Sequence, residues 1–389
     1  MKGFLRFLSY CLVAVVAGTL TFMFSAAHFL TQGTTSSLSG SKLTRLENVI
    51  KERFIGEVDE TAIEDAAADA MVNALGDRWS YYIPASEMMS YNSQMRNSYV
   101  GIGVTISVQE DGTFLVQQVV AGGPAEAAGI LPGDLFTGVD GTDCAGLSLS
   151  EVSAMVRGEE NTDVVITVLR DGQTMDLTVT RAYFETAVAT ARMLDGNIGL
   201  IRIVNFDSRC ARETIAAIED MIDQGATALI FDVRFNPGGY QSELVEVLDY
   251  LLPEGPLFRS VDYRGRETVD ESDADCIALP MAVLLNGDSY SAAEFFGAAL
   301  SEYGVAVTVG EKTCGKGYFQ TTIDLGDGSA VGLSVGKYFT PNGVSLADVG
   351  ITPDVEVPVD EETAAKIYAG LLAPEDDPQL RAAIQALSR

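Results

Sequence analysis

A single histidine, His28, occurs in the 389 residues, and it lies in an apolar run. Elsewhere in the chain no Ser-His-Asp or Cys-His catalysis can operate, and no histidine-based zinc site can form, so a nucleophile needs another base. A desolvated lysine can serve, because burial disfavours its charged form. Lysines are sparse, with none between Lys51 and Lys312. The segment 310–320 holds two, Lys312 and Lys316. Lys312, beside Glu311, has the character of a solvated surface charge. Lys316 sits between Gly315 and Gly317, and flanking glycines let a backbone pass close to a site. Gly310 to Lys316 also satisfies G-x-x-x-x-G-K, but Gly317 stands where a phosphate loop needs Ser or Thr for magnesium.

Two further segments could complete a site. Asn286-Gly287-Asp288-Ser289-Tyr290-Ser291-Ala292-Ala293-Glu294 follows an apolar strand and leads into a helix. A serine on such a junction stands clear of the fold, and the helix N-terminus offers free N–H groups to a developing oxyanion. The competing reading makes Ser289 or Ser291 a plain N-cap. Asp232-Val233-Arg234-Phe235-Asn236-Pro237-Gly238-Gly239 follows a second apolar strand, at the carboxyl edge where α/β sites gather. Its Pro-Gly-Gly is a tight turn that exposes backbone N–H groups.

These segments need a scaffold, and the chain is long enough for two or three domains at roughly 150 residues each. With 47% apolar and 21% charged residues it belongs to the globular class. Its formal charge of −30 excludes nucleic acid as a partner, since no basic surface exists to displace phosphate counterions. Lys2 and Arg6 precede an uncharged stretch from Phe7 to Thr31, long enough for a bilayer-spanning helix with the remainder outside the membrane. A cleaved secretory signal is the competing reading. Residues 32–41 are a polar linker. The wide spacing of Cys144, Cys210, Cys276 and Cys314 fits no disulfide framework or metal site.

Residues 42–95 are expected to be helical, with an apolar stripe at Leu43, Leu46, Val49, Ile50 and Phe54, and with an aromatic turn at 79–84. From 96 to 182 the pattern is of short strands and turns. From 183 to 360 strands and helices alternate, the signature of an α/β core: strands at 199–204, 228–233, 281–285 and 305–309, helices at 209–224, 242–252 and 291–300. Further strands are expected at 320–323, 329–334 and 337–340. Residues 361–389 form an acidic helical tail.

Residues 96–182 resemble a PDZ domain, through Gly101-Ile102-Gly103-Val104, Gly123-Pro124-Ala125-Glu126-Ala127-Ala128-Gly129, Pro132-Gly133-Asp134 and Val139-Asp140-Gly141. The resemblance makes Gly101 to Val104 the loop that captures a peptide carboxylate, the peptide adding as a strand. The chain from about 42 to 358 resembles the carboxy-terminal processing (tail-specific) serine peptidases, PDZ-bearing enzymes with a Ser-Lys pair. Asp288 to Glu294 matches the family's G-S-A-S-A-x-E, Gly315 to Gln320 its G-K-G-x-x-Q, and Asp232 to Gly239 its D-L-R-G-N-P-G-G. Tyr338 to Gly343 and Gly350 to Asp354 also fit. Phe235 replaces a glycine, and Asp288 and Tyr290 replace glycine and alanine.

The resemblance implies Ser291 as nucleophile, Lys316 as base and Gln320 as the residue that orients the lysine. Ala292 and Gly238 or Gly239 are the candidate oxyanion-hole donors. It implies a membrane-anchored endopeptidase acting outside the membrane on proteins with accessible C-termini, without metal or cofactor. The helical ends could pair copies into a homo-oligomer. The alternative is an inactive PDZ scaffold that binds tails, for which the bulky Phe235 and Tyr290 speak.

Overall fold

The computed structural model describes residues 42–109 and 111–388. The expected anchor (1–31), with His28 and Cys11, and the linker (32–41) lie outside the described residues. Among the described residues no helix is long and apolar enough to cross a membrane. The chain divides into two units, one ending at Ala68 and one starting at Asp69. In the first, α1 (Lys42–Arg53) forms on the expected stripe, yet buries none of it: Leu46 and Val49 stay exposed. Helix α2 (Glu60–Asn73) crosses into the second unit.

The second unit opens with β1 (Tyr81–Ile83), α3 (Met88–Met95) and β2 (Ser98–Gly101). A six-stranded sheet follows, with β3 (Val104–Val108), β4 (Phe114–Val119), β5 (Leu135–Val139), β7 (Asp163–Arg170) and β8 (Gln173–Thr180) in that order and β6 (Thr142–Asp143) paired with β5. Alternate residues Val164, Ile166 and Val168 point inward, as a sheet with one wet face requires. Two helices cover the buried face. In α4 (Pro124–Ala127) proline occupies the first turn, and α5 (Leu149–Val156) starts at the Ser148–Glu151 capping box. Between β2 and β3 the chain breaks at Ile102-Gly103, where Ile102 turns into the core and Gly103 takes φ +77°.

Strand β9 (Ala182–Glu185) returns to pair with β2. The core sheet has the order β10 (Ala189–Leu194), β11 (Ile198–Ile203), β12 (Ala228–Asp232), β15 (Met281–Leu285), β16 (Ala306–Gly310) and β19 (Val355–Glu356). All of its pairings are parallel except β10–β11. Helices α6 (Cys210–Asp223), α7 (Gln241–Leu251) and α8 (Ala292–Glu302) bury apolar faces in its main core, around Phe231, Leu248 and Phe296. Buried on both sides, β12 and β15 read as unbroken apolar runs.

A second sheet joins β13 (Gly255–Asp262), β14 (Glu267–Ser272), β17 (Tyr318–Asp324) and β18 (Ala330–Phe339) to β1. This corrects three expectations. The aromatic run 79–84 contains a strand within the stretch expected to be helical. It pairs Tyr81 with Gly332, where an added Cβ would stand 2.3 Å from the Tyr81 ring. The strands expected at 329–334 and 337–340 are one, and two strands, β13 and the charged β14, stand where none was expected.

The tail is part of the core. It forms α9 (Glu361–Tyr368) and α10 (Pro378–Leu387), and α10 buries Leu380 and Ala383 against the sheet. Arg234, buried at the end of β12, pairs with Asp232 (2.7 Å) and with Asp377 at the α10 N-cap (2.9 Å), and donates to Gln379 (3.0 Å). Breaking such a buried cluster leaves uncompensated charge. Arg234→Met is expected to lose about 3–5 kcal/mol of stability, read from urea unfolding of the full chain.

Candidate active site

Three adjacent parallel strands, β12, β15 and β16, deliver the three expected segments to one carboxyl edge. Their loops are stitched together. Phe235 N–H donates to Asn286 Oδ1 (2.8 Å), Tyr290 N–H to the Asn236 carbonyl (3.1 Å), and Cys314 N–H to the Ser289 carbonyl (3.3 Å). Ser289 is fully buried, its hydroxyl donating to the Val233 carbonyl (2.8 Å), so it is a strut of the turn.

Ser291 differs in kind. It has φ +58° and ψ −125°, directly before α8. A non-glycine residue in that region stores on the order of 1–3 kcal/mol, held by its surroundings. A serine on a strained strand-to-helix turn is the geometry of a nucleophile elbow. Ala292 N–H, at the start of α8, carries no hydrogen bond among the described residues, and neither does Gly239 N–H. Gly238 N–H instead donates to Asn236 Oδ1 (2.8 Å). Of the two glycines expected as oxyanion donors, the structure therefore leaves Gly239 open and engages Gly238 internally. Gly238 has a steric role beside this: at φ +89°, a Cβ there would fall 2.7 Å from Ser291 Cβ and 2.9 Å from Ala292 N. Gly238→Ala is expected to lower kcat by about 10²-fold or more, because misplacing reacting groups by about an ångström has that cost. A binding assay with a C-terminal peptide should read unchanged.

Glu294 holds nucleophile loop and lysine loop together. It is fully buried, and its carboxylate accepts from Ser291 N–H (3.0 Å), Lys316 N–H (2.9 Å), Gly315 N–H (2.7 Å) and Thr313 Oγ1 (2.5 Å). Burial pushes its pKa up, against four hydrogen bonds that pull it down. The sequence held a signal for this role, an acid three residues after the serine in an otherwise apolar helix, but spacing alone gave it no partner.

Lys316 is largely buried, and that burial holds its pKa below the ordinary lysine value, opposed by the charges of Cys314, Glu294 and Asp77. Its Nζ stands 5.0 Å from the Trp79 ring centroid and 5.8 Å from that of Tyr290. Among the described residues no hydrogen bond joins Nζ to Ser291 or to Gln320. Gln320 Nε2 donates to Ser334 Oγ (3.0 Å) and the Tyr318 carbonyl (3.2 Å), so the structure does not bring it to the lysine. A β-bulge lies between Phe319 and Gln320, just where the strand leaves the lysine loop. Lys312 is exposed.

Phe235, in the glycine position, takes φ +60° and packs its ring edge-on against Tyr368 of α9 (5.3 Å). Beside Ser291 the side chains of Leu244, Phe258 and Tyr338 close in, leaving no space for a water molecule. Cys144, Cys210, Cys276 and Cys314 are free thiols, and the described residues hold no cluster suited to a metal ion.

The PDZ-like groove measures about 400 Å³ and is lined by Gly101, Ile102, Gly103 and Val104 on one side and by Ser153 and Val156 of α5 on the other. The Ile102 and Gly103 carbonyls turn inward, accepting from Ala125 (2.8 Å) and Val120 (2.9 Å). In a trans peptide the N–H opposes the C=O, so the N–H groups of Gly103 and Val104 face away from those partners.

Family comparisons agree with this geometry. Residues 197–357 match the peptidase family S41 model and residues 115–170 a PDZ domain model. The carboxy-terminal processing protease CtpA of Bacillus subtilis is 31% identical over 351 residues, covering 89% of this chain and 75% of that protein. This chain belongs to peptidase family S41. It is a serine-type peptidase of the carboxy-terminal processing group. The structure of a photosystem II D1 C-terminal processing protease is 28% identical, with a TM-score of 0.50 over 88% of this chain and 93% of that one. A Bacteroides fragilis structure assigned to the S41 proteases shares the fold at 16% identity, with a TM-score of 0.59 over 91% of this chain and 99% of that one.

Proposed function

We propose that this S41 peptidase is a membrane-anchored endopeptidase with a Ser-Lys mechanism, acting outside the membrane on proteins presented by their C-terminal tails. The observation that carries the mechanism is the Glu294 carboxylate gripping the backbones of Ser291 and Lys316 at once. In the reaction, Ser291 Oγ attacks the peptide carbonyl while neutral Lys316 takes its proton. The oxyanion lies against Ala292 and Gly239 N–H. The amine leaves with the proton returned by Lys316. Water, deprotonated by the same lysine, then hydrolyses the acyl-enzyme and releases the carboxylate. Gln320 joins the lysine once its amide exchanges Ser334 for it. The PDZ groove takes the substrate's terminal carboxylate. The uncharged stretch from Phe7 to Thr31 supports the anchor.

Two observations keep the scaffold reading: among the described residues no hydrogen bond joins Lys316 Nζ to Ser291, and Gly238 N–H is taken by Asn236. Cleavage of an unfolded protein with an apolar C-terminus, followed by mass spectrometry across pH, separates the two. Because burial lowers the Lys316 pKa, the neutral base accumulates below the pH at which an ordinary lysine deprotonates. Activity should therefore climb with pH and level off below 10.5. Tail binding with no cleavage at any pH would establish the scaffold instead.

A further inference from the structure

Tyr290 stands where the related segment carries alanine, and the ring it adds faces the lysine. Trp79, on the turn before β1, supplies a second ring. The two centroids are 6.2 Å apart with planes tilted by 32°, and both lie within the ≈ 6 Å over which a ring face attracts a cation. Neither ring is loosely placed. Trp79 N–H and Ser80 Oγ both donate to Asp77 (3.1 and 2.6 Å), Ser80 Oγ accepts from Ser334 N–H (3.0 Å), and Tyr290 N–H is held by Asn236. A second cation closes the arrangement: the Arg78 guanidinium lies 4.2 Å from the Trp79 centroid and donates to the Cys314 carbonyl and Sγ (3.4 Å each). The charged or titratable groups around Lys316 are Glu294, Asp77, Cys314 and Tyr290, with the like-charged Arg78 on the same Trp79 ring, and those around Tyr290 are Cys314 and Asp288 besides the lysine. Among the described residues none of them hydrogen-bonds Nζ.

We propose that Trp79 and Tyr290 are positioning residues that seat the Lys316 ammonium on their ring faces, away from Ser291, so that loss of its proton frees the lysine to reach the serine. The physical asymmetry is simple. A ring quadrupole attracts an ammonium, whereas a neutral amine has no charge for it to hold and gains more by accepting the serine proton. The seat therefore favours the protonated lysine and opposes the effect of burial. It sets where the acidic limb of the activity falls. This inference rests on the Ser-Lys reading of the site.

The test measures kcat/KM against pH for the full-length chain and for Trp79→Leu, Tyr290→Leu and Tyr290→Phe, alongside an NMR titration of [ε-13C]lysine. The chain has seven lysines, so the Lys316 resonance can be assigned by its loss in Lys316→Ala. Leucine keeps an apolar side chain but removes the π face. Each leucine variant is expected to move both the acidic limb and the Lys316 titration to lower pH by roughly half to one unit, with Tyr290→Phe restoring the wild-type profile. A limb and a titration that stay in place, or that move to higher pH, overturn the seat. Should Trp79→Leu fail to fold, Trp79→Phe carries the same prediction with a smaller shift, indole being the strongest ring for cations. Cleavage that survives Lys316→Ala defeats the Ser-Lys reading instead, and the NMR titration still decides the seat independently of activity.

Discussion

Replacing Lys316 by alanine is expected to abolish cleavage, lowering kcat by roughly 10⁴-fold or more, while leaving the protein at least as stable as before. The two halves of that result have one cause. A partly buried amine whose pKa is held down by desolvation is poised for catalysis and is a burden on the fold. Its folded pKa is depressed, so the lysine favours folding only when neutral; as pH falls through the folded pKa that contribution is lost. At neutral and acid pH, removal of the amine relieves the cost. Ser291→Ala should match it in activity, and the double variant should be no worse than either single one, because groups acting as a unit are not additive. Unfolding curves and single-turnover cleavage read the two halves separately.

Glu294→Gln is expected to cost about 10²–10³ in kcat with little change in tail binding at the PDZ groove. The carboxylate accepts four hydrogen bonds, two of them from the backbones of Ser291 and Lys316. An amide of the same shape offers one acceptor and puts an NH2 against N–H donors. Hydrogen bonds to a charged group are worth about 1.5–3 kcal/mol each, so the loops will part rather than tolerate the mismatch. Glu294→Asp, which keeps the charge but shortens the arm, should recover only part of the rate. If Glu294→Gln lost tail binding and activity together, Glu294 would be a general prop of the fold rather than the link between the two loops.

Legibility in the sequence followed the physics of each element. The parallel strands β12, β15 and β16 were readable because burial on both faces writes an apolar run. The short-strand domain was readable through its glycines and turns, since positions such as Gly103 need a positive φ that few other residues accept. The second sheet was not. Strand β14 is charged and half wet, and β1 is three residues long, paired across more than two hundred residues with β18. Spacing placed Ser291 and Lys316 on loops but could not choose between Ser289 and Ser291. The buried hydroxyl of Ser289 and the positive φ of Ser291 now distinguish them. Trp79 was legible only as part of an aromatic turn, because its place beside Lys316 depends on the fold bringing it to a lysine far along the chain. The Gln320 expectation came from a motif match, which fixes residue types but not which partner the amide takes, here Ser334 and the Tyr318 carbonyl.

The most direct test is to trap the acyl-enzyme. The full-length chain is mixed with a peptide ester, quenched in acid, digested, and mapped by mass spectrometry. The acyl group is expected on Ser291 in the wild type, and absent when Lys316 is alanine at neutral pH. An adduct on Ser289 or any other residue, or one on Ser291 that forms equally well without Lys316, would contradict the Ser-Lys mechanism.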